Sequence, residues 1–280
     1  MATVRRKGLR VVVIGVVLVV GLIGLVWVGF QVKPRPFDAF AERTAALDTI
    51  PIPDDLPAPV ARFYAVITDG TGVVPVVDSA VLTGRADLRI NGISFQARFR
   101  FTHEAGVNYR HYIEGTCFGQ PLLKVNERYV DGISRMELPW ASSADEPQIN
   151  QAANLGLWAE SMWLPSVFLT DPRVRWEPID ANTARLIVPF EEGEDEFTVY
   201  FDAETGLITE MVALRYKEAD SAAKTEWIVR ATGWAMYHGV LIPVISEAEW
   251  DDENGPWAVF YIEDAVYNAD VSDYIRQKGL

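Results

Sequence analysis

The feature that most constrains this chain is a run of roughly twenty residues, Val11 to Phe30, that contains no charged side chain. As a helix rising about 1.5 Å per residue it spans roughly 30 Å, the thickness of a bilayer's hydrocarbon core. The run therefore predicts a transmembrane helix over residues 11–31, with everything after it on one side of a membrane. Arg5, Arg6, Lys7 and Arg10 precede it, and only Lys33 and Arg35 follow closely. That asymmetry puts residues 1–10 in the cytoplasm as a basic tail and the rest of the chain outside. A cleavable signal peptide has a shorter apolar region, about 7 to 15 residues, ending in a small-x-small site. Trp27-Val28-Gly29-Phe30-Gln31-Val32 offers no such site, so an uncleaved signal anchor is expected. No cysteine lies near the run, which excludes a lipoprotein, and Gly21 and Gly24 stand three apart rather than in the four-residue spacing of a helix-dimer face.

Setting the anchor aside changes the charge balance. Residues 1–35 hold six of the 25 basic side chains and no acidic one, which leaves 19 basic against 39 acidic, a net of −20. So acidic a domain repels nucleic acid, and no nucleic-acid partner is expected. Cys117 is the sole cysteine, so neither an intrachain disulfide nor a cysteine-based zinc cage is available. Stability must come from a packed core, for which 9 Trp, 10 Tyr and 13 Phe are ample material.

Residues 32–54, with Pro34, Pro36, Pro51 and Pro53, suggest a semi-rigid spacer carrying a short helix over Phe37 to Leu47. A folded domain is expected over 55–270. It opens with a helix from Pro57 to Thr68, capped by Asp54 or Asp55, on the spacing of Val60, Phe63, Tyr64 and Ile67; Asp69 to Val76 is expected to be loop. The period then changes from 3.6 to 2. Ile93, Phe95, Ala97, Phe99 and Phe101 alternate with Ser94, Gln96, Arg98 and Arg100, giving a strand with one apolar and one wet face, and Asn91-Gly92 before it is a hairpin signal. Further strand-like runs follow to Tyr267, with Phe118 to Val125 and Arg128 to Val130 expected as separate strands. Asp145 to Leu164 interrupts them as the one long helical pattern, carrying Leu155, Trp158, Met162 and Trp163. The expected fold is α+β, mainly β: a curled antiparallel sheet of about 10–11 strands wrapped on one long helix, with a tail over 271–280.

The candidate chemistry is sparse. Gly115-Thr116-Cys117-Phe118-Gly119 has the spacing of a nucleophile elbow, but a strand-like run follows where the elbow requires a helix. His103, His111 and His238 match no metal-binding spacing, although His103 and His111 fall on neighbouring strands. The acidic groups at 191–196 and 249–253 lack the alternating-oxygen pattern of a calcium loop and are expected to be solvated hairpin tips. No catalytic residue, metal or cofactor is assigned, and the protein is not expected to be an enzyme. Glu160, on the Trp-rich helix, is the one polar candidate. The aromatic set is more informative: Trp140, Trp158, Trp163, Phe168 and Trp176 gather around the helix and its exits, where they either line an apolar cavity or make an ordinary core.

Short segments in a fixed order resemble a family of bacterial membrane-anchored domains of unestablished function. They are Leu56-Pro57-Ala58-Pro59-Val60-Ala61-Arg62-Phe63, Arg128-Tyr129-Val130-Asp131-Gly132 with Arg135-Met136, Glu160-Ser161-Met162-Trp163-Leu164-Pro165, Val174-Arg175-Trp176, Phe201-Asp202 with Gly206-Leu207, Arg215-Tyr216, Gly239 to Pro243, and Trp250. The resemblance runs from Leu56 to Asn268. It implies a half-barrel similar to the lipoprotein-localisation proteins LolA and LolB, and by analogy the handling of apolar ligands. Where the family usually carries a Glu two turns before Glu160, this chain has Ala153, which removes an acid pair along the helix.

The expectation is a non-enzymatic domain tethered to the bacterial cytoplasmic membrane and facing the periplasm or exterior. It would hold a lipid or other apolar small molecule on Trp158, Met162, Trp163, Phe168, Trp176, Phe95 and Phe99. The alternative is a protein-interaction module or accessory subunit for a membrane-protein partner, with the same aromatics packed solid.

Overall fold

The computed structural model describes residues 2–42, 44 and 46–280. Helix α1 (Ala2–Gln31) is long and apolar enough over Val13–Gln31 to cross a membrane, and its side chains are exposed from Val13 to Val28. Its last turn meets the folded domain. Phe118 N–H donates to the Gly29 carbonyl at 2.7 Å, and a Cβ on Gly29 would lie 2.6 Å from both the Cys117 sulfur and the Phe118 ring, so only glycine permits this approach.

The spacer is not helical in its described residues; Arg43 and Ala45, in the expected 37–47 helix, lie outside them. It lies instead along the outer face of the sheet. Phe37 sits under the Arg98 guanidinium at 4.4 Å and 5.8 Å from the Tyr112 ring, while Arg100 donates to the Asp38 carbonyl at 2.7 Å. The expected wet face of the Ile93–Phe101 strand is thus covered by the chain's own N-terminal segment. These contacts outweigh a helical preference too short to nucleate alone.

The chain continues through β1 (Thr49–Pro51), α2 (Ala58–Ile67) and β2 (Val73–Pro75), the two strands pairing with each other in what the sequence suggested was spacer and loop. Pro57, rather than Asp54 or Asp55, is the α2 N-cap, and no side chain caps it. Then come β3 (Ser79–Ile90), β4 (Ile93–Glu104), β5 (Asn108–Cys117), β6 (Gln120–Val130), β7 (Ile133–Leu138) and β8 (Ala141–Ala144). Helix α3 (Pro147–Glu160), a 3-10 turn (Ser161–Trp163) and α4 (Val167–Thr170) follow. The second set is β9 (Arg175–Pro178), β10 (Thr183–Phe190), β11 (Gly193–Phe201), β12 (Ile208–Arg215), β13 (Thr225–Tyr237), β14 (Val240–Trp250) and β15 (Ala258–Tyr267), ending in α5 (Ser272–Ile275).

Thirteen strands form one antiparallel sheet, ordered β8-β7-β6-β5-β4-β3-β15-β14-β13-β12-β11-β10-β9. Two meanders thus meet at the β3–β15 pair, and α3 carries the chain from one free edge across to the other. This is the expected mainly-β fold with a curled antiparallel sheet and one long helix, with more strands than expected, and the sheet is not closed into a barrel. Asn91 and Gly92 make the β3–β4 turn with positive φ (51° and 77°), as a tight hairpin requires. The two runs read apart at 118–130 are one strand. Glu127 breaks the inward apolar alternation because it faces the polar end of the cavity, while Asn126 and Arg128 face outward beneath the C-terminal tail, where they hydrogen-bond to carbonyls of residues 276–279. Strand β8, Ala-Ser-Ser-Ala and fully exposed, has no apolar alternation to reveal it.

Crossing inside the curl, α3 is buried from Asn150 to Ala159 without a break, so it has no polar face. Its amides satisfy groups on both edges: Asn150 accepts from the Ser134 N–H at 2.8 Å, Gln151 donates to Asp195 at 3.0 Å, and Asn154 donates to the Pro189 carbonyl at 3.0 Å. Asp195 is accordingly buried rather than a solvated tip residue. One apolar core packs α2 and Trp158 against β10–β13; a second packs Trp163 and Leu164 against β3, β4, β14 and β15.

Candidate functional site

Between α3 and the strands of both meanders lies a cavity of about 360 Å³, within the ordinary range for small-molecule sites, roughly 300–1,000 Å³. Strand geometry sets its polarity from end to end. Along β5, His111, Ile113 and Gly115 share the inner face and step from floor to rim, the rim being the β5–β6 turn where α1 ends. The throat is apolar, formed by Phe95, Ile113, Leu123, Val125, Leu138 and Trp140. A Cβ on Gly115 would lie 2.7 Å from the Phe95 ring, so the glycine lets that ring lie flat against the throat wall. Farther in, Phe101, Met162, Trp163 and Phe260 close the sides.

The floor is polar. The Nε2 atoms of His111 and His103 lie 2.7 and 3.3 Å from the same oxygen of Glu160, Oε2. His111 Nδ1 is 3.8 Å from Glu127, which accepts a 2.6 Å hydrogen bond from the Tyr109 hydroxyl. Tyr109 stacks on the His111 ring at 4.1 Å, and Phe101 covers its other side at 4.0 Å. Burial alone would lower the His111 pKa, but Glu160 and Glu127 outweigh it and push it up to about 9. Burial would raise Glu127, yet the neighbouring His111 charge and the hydrogen bond from Tyr109 hold it down at about 2. At Glu160 burial dominates and the pKa is raised; His103 is held well below its usual range by burial and by the neighbouring His111 charge. The floor at neutral pH is therefore a charged His111 between two carboxyl groups, with a neutral His103 beside it.

Arg215 also lines the cavity. Its guanidinium lies 4.3 Å from the Trp227 ring and 5.5 Å from Trp250, and among the described residues it makes no ion pair.

The candidates chosen from sequence separate into two groups. Phe95, Met162, Trp163 and Glu160 line the cavity. Phe99 is buried behind its wall, 4.5 Å from Phe101 and 5.4 Å from Phe260. Trp158, Phe168 and Trp176 lie in the other core, with Phe168 and Trp176 edge-to-face at 5.8 Å. Trp140 stands at the mouth, 73% exposed. His238 occupies the β13–β14 turn. Cys117 is half-buried beside the end of α1 with β6 following directly, so the helix that a nucleophile elbow needs is not there. Among the acidic tips, Glu194 pairs with Arg175 and Asp252 with Lys217. Sequence reasoning did not bring His103, His111 and Glu127 to Glu160, because they converge only when α3 crosses the sheet; the inward parity of residues 103, 109 and 111 was the one available signal.

Three solved structures are similar at low identity. A LolA superfamily protein from Nitrosomonas europaea shares 12% identity over 80% of this chain and 98% of its own, with a TM-score of 0.46. An outer membrane lipoprotein-sorting protein domain from Vibrio parahaemolyticus, described as putative, shares 10% over 71% and 89%, with a TM-score of 0.43. A DUF1329 family protein from Desulfovibrio piger shares 13% over 79% and 98%, with a TM-score of 0.44. No curated protein matches the chain. Residues 48–262, most of the sequence and nearly all of the sheet, match one described family, and the chain belongs to it: the family of unknown function DUF6544.

Proposed function

We propose that this protein is a membrane-tethered, non-enzymatic binding domain that takes an amphiphilic lipid-type molecule from the bilayer in which its own α1 is anchored. The observation that carries this reading is the cavity: apolar walls lead from a mouth beside the end of α1 to a polar floor. An apolar chain lying in such a throat loses its water contact at about 0.8 kcal/mol per methylene, while a polar head meets hydrogen-bonding partners instead of an apolar dead end. The rim fits the same reading. Ile90, Ile93, Phe118, Leu122 and Trp140 sit at or beside the turns of the β3–β4, β5–β6 and β7–β8 hairpins and are 44–73% exposed. These turns share one edge of the sheet with the end of α1. Exposed apolar side chains gathered there suit the interfacial zone of a bilayer, and Trp140 has the amphipathic ring favoured at that level.

In this reading α1 stays uncleaved, its basic N-terminus is cytoplasmic, and the domain is held outside the membrane with its mouth toward the lipid. The test is photocrosslinking with a fatty acid carrying a diazirine in mid-chain, added to the full-length protein in lipid nanodiscs. Labelled peptides should come from β4, β6 and β7 and include Phe95, Leu123 or Leu138. Labelling confined to α1 and the outer face of the sheet would reject the reading.

A further inference from the structure

Beside the polar floor of the cavity lies a histidine, His103, that the lipid reading leaves without a role. His103 is 1% exposed, and among the described residues neither ring nitrogen has a hydrogen-bond partner. A buried imidazole with both nitrogens idle is costly, because the desolvation of each unsatisfied group goes uncompensated. His111 Nε2 has a partner without any ion, since Glu160 stands 2.7 Å from it, and Glu127 stands 3.8 Å from Nδ1. His103 has no such partner among the described residues, although its Nε2 lies 3.3 Å from the Glu160 oxygen that His111 also approaches. The ligand atoms of the three residues all lie within 4.8 Å of one another. In a tetrahedral site with bonds of about 2.0–2.1 Å, neighbouring ligand atoms stand about 3.3 Å apart. The His103–Glu160 distance is 3.3 Å, and the His111–Glu160 distance of 2.7 Å need open by only about half an ångström.

We infer that His103, His111 and Glu160 form a binding site for a divalent transition-metal ion of the zinc class, with the fourth coordination position turned into the cavity. Two imidazoles and one carboxylate are a borderline-soft donor set suited to zinc, and three protein ligands with one open position distinguish an exchangeable site from a closed structural one. Glu127 occupies the place of an outer-shell partner: it faces the remaining nitrogen of His111 and is itself held by the Tyr109 hydroxyl. When the ion binds, the proton shared between His111 Nε2 and Glu160 leaves to solvent, and a water or the polar head of a cavity ligand completes the shell. The site does not depend on the lipid reading, since the three ligands come from β4, β5 and the end of α3 whatever the throat holds.

The test uses the untagged full-length protein in detergent, stripped with a chelator and then titrated with Zn²⁺ by calorimetry and with Co²⁺ by visible spectroscopy. The expected result is one ion per chain, an intense tetrahedral Co²⁺ spectrum, and a loss of at least 100-fold in Zn²⁺ affinity in His103→Ala. Glu127→Gln, which keeps all three ligands, should weaken binding about 10- to 100-fold at unchanged stoichiometry. This second variant decides the matter if His103→Ala does not fold. No Zn²⁺ uptake by the wild type, a weak octahedral Co²⁺ spectrum, or affinity unchanged in both variants would overturn the inference.

Discussion

Lengthening the tail of a bound amphiphile by one methylene should tighten its binding to this protein by about 0.8 kcal/mol, roughly fourfold, for as long as the added carbon lies inside the throat. The figure follows from the walls. Between the rim and the floor the lining is Phe95, Ile113, Leu123, Val125 and Leu138, without a charged side chain among them. Four methylenes should therefore contribute about 3 kcal/mol, or on the order of 200-fold in affinity. The gain should stop once the tail is long enough to leave the mouth. Calorimetry of full-length protein with a homologous series of single-chain alkyl detergents or fatty acids measures the slope directly. Gly115→Leu is the paired control. Even a Cβ at that position would meet the Phe95 ring at 2.7 Å, so a branched side chain must drive the ring into the throat, and the slope should fall toward zero at the same head group. Val125→Phe, which narrows the throat from the neighbouring strand, serves if Gly115→Leu melts too low for calorimetry. A slope near zero in the wild type, or one that persists in both variants, would refute the view that the throat takes the chain.

Three further outcomes follow from particular contacts. Trp158, wholly buried and not among the residues lining the cavity, should cost about 3–5 kcal/mol when changed to alanine; calorimetric melting should then fall by on the order of 10 °C, with ligand selectivity unchanged in whatever remains folded. Phe118→Ser and Trp140→Ser, which leave the walls intact, should slow uptake of a fluorescent acyl chain from vesicles without altering its equilibrium affinity; a change in affinity with unchanged rate would contradict the placing of these residues at the membrane. Gly29→Val should push the end of α1 off the β5–β6 turn, because its side chain would overlap Cys117 and Phe118. The rate of Cys117 alkylation by a maleimide should rise several-fold, and an unchanged rate would show that this contact does not shield the thiol.

Much of the architecture was legible because local signals were strong where packing agreed with them. The charge-free run, the helical spacing of Val60, Phe63, Tyr64 and Ile67, the Asn91-Gly92 turn and the alternation from Ile93 to Phe101 each specify an element without outside help. Two of the failures share one cause, which is that distant chain segments cover what looks like solvent-facing surface. Phe37 and Phe40 are spaced as a helix would space them, yet they serve an extended segment lying on Arg98, Arg100 and Tyr274. Asn126 and Arg128 look like the solvent-facing positions of a strand, yet the C-terminal tail buries them and supplies their partners.

The site was legible only in part for the same reason. Phe95, Met162, Trp163 and Glu160 could be chosen from strand parity and helix pattern, but no spacing tells which aromatics of one buried helix face a hollow and which face a packed core. Trp158 and Trp163 are five residues apart and fall on opposite sides of that division. The carboxyl partner of Glu160 illustrates it too. The family resemblance directs attention along α3 to position 153, where this chain has alanine, whereas the second carboxylate arrives across the cavity as Glu127 of β6.

The most direct test of the account is native mass spectrometry of the full-length protein, released in the gas phase from nanodiscs made with its own envelope lipids. The account predicts one tightly held amphiphile per chain on the wild type, its mass surviving activation that strips annular lipid, and none on Gly115→Leu. A bare wild-type mass, together with no uptake of added single-chain amphiphile in solution, would contradict it.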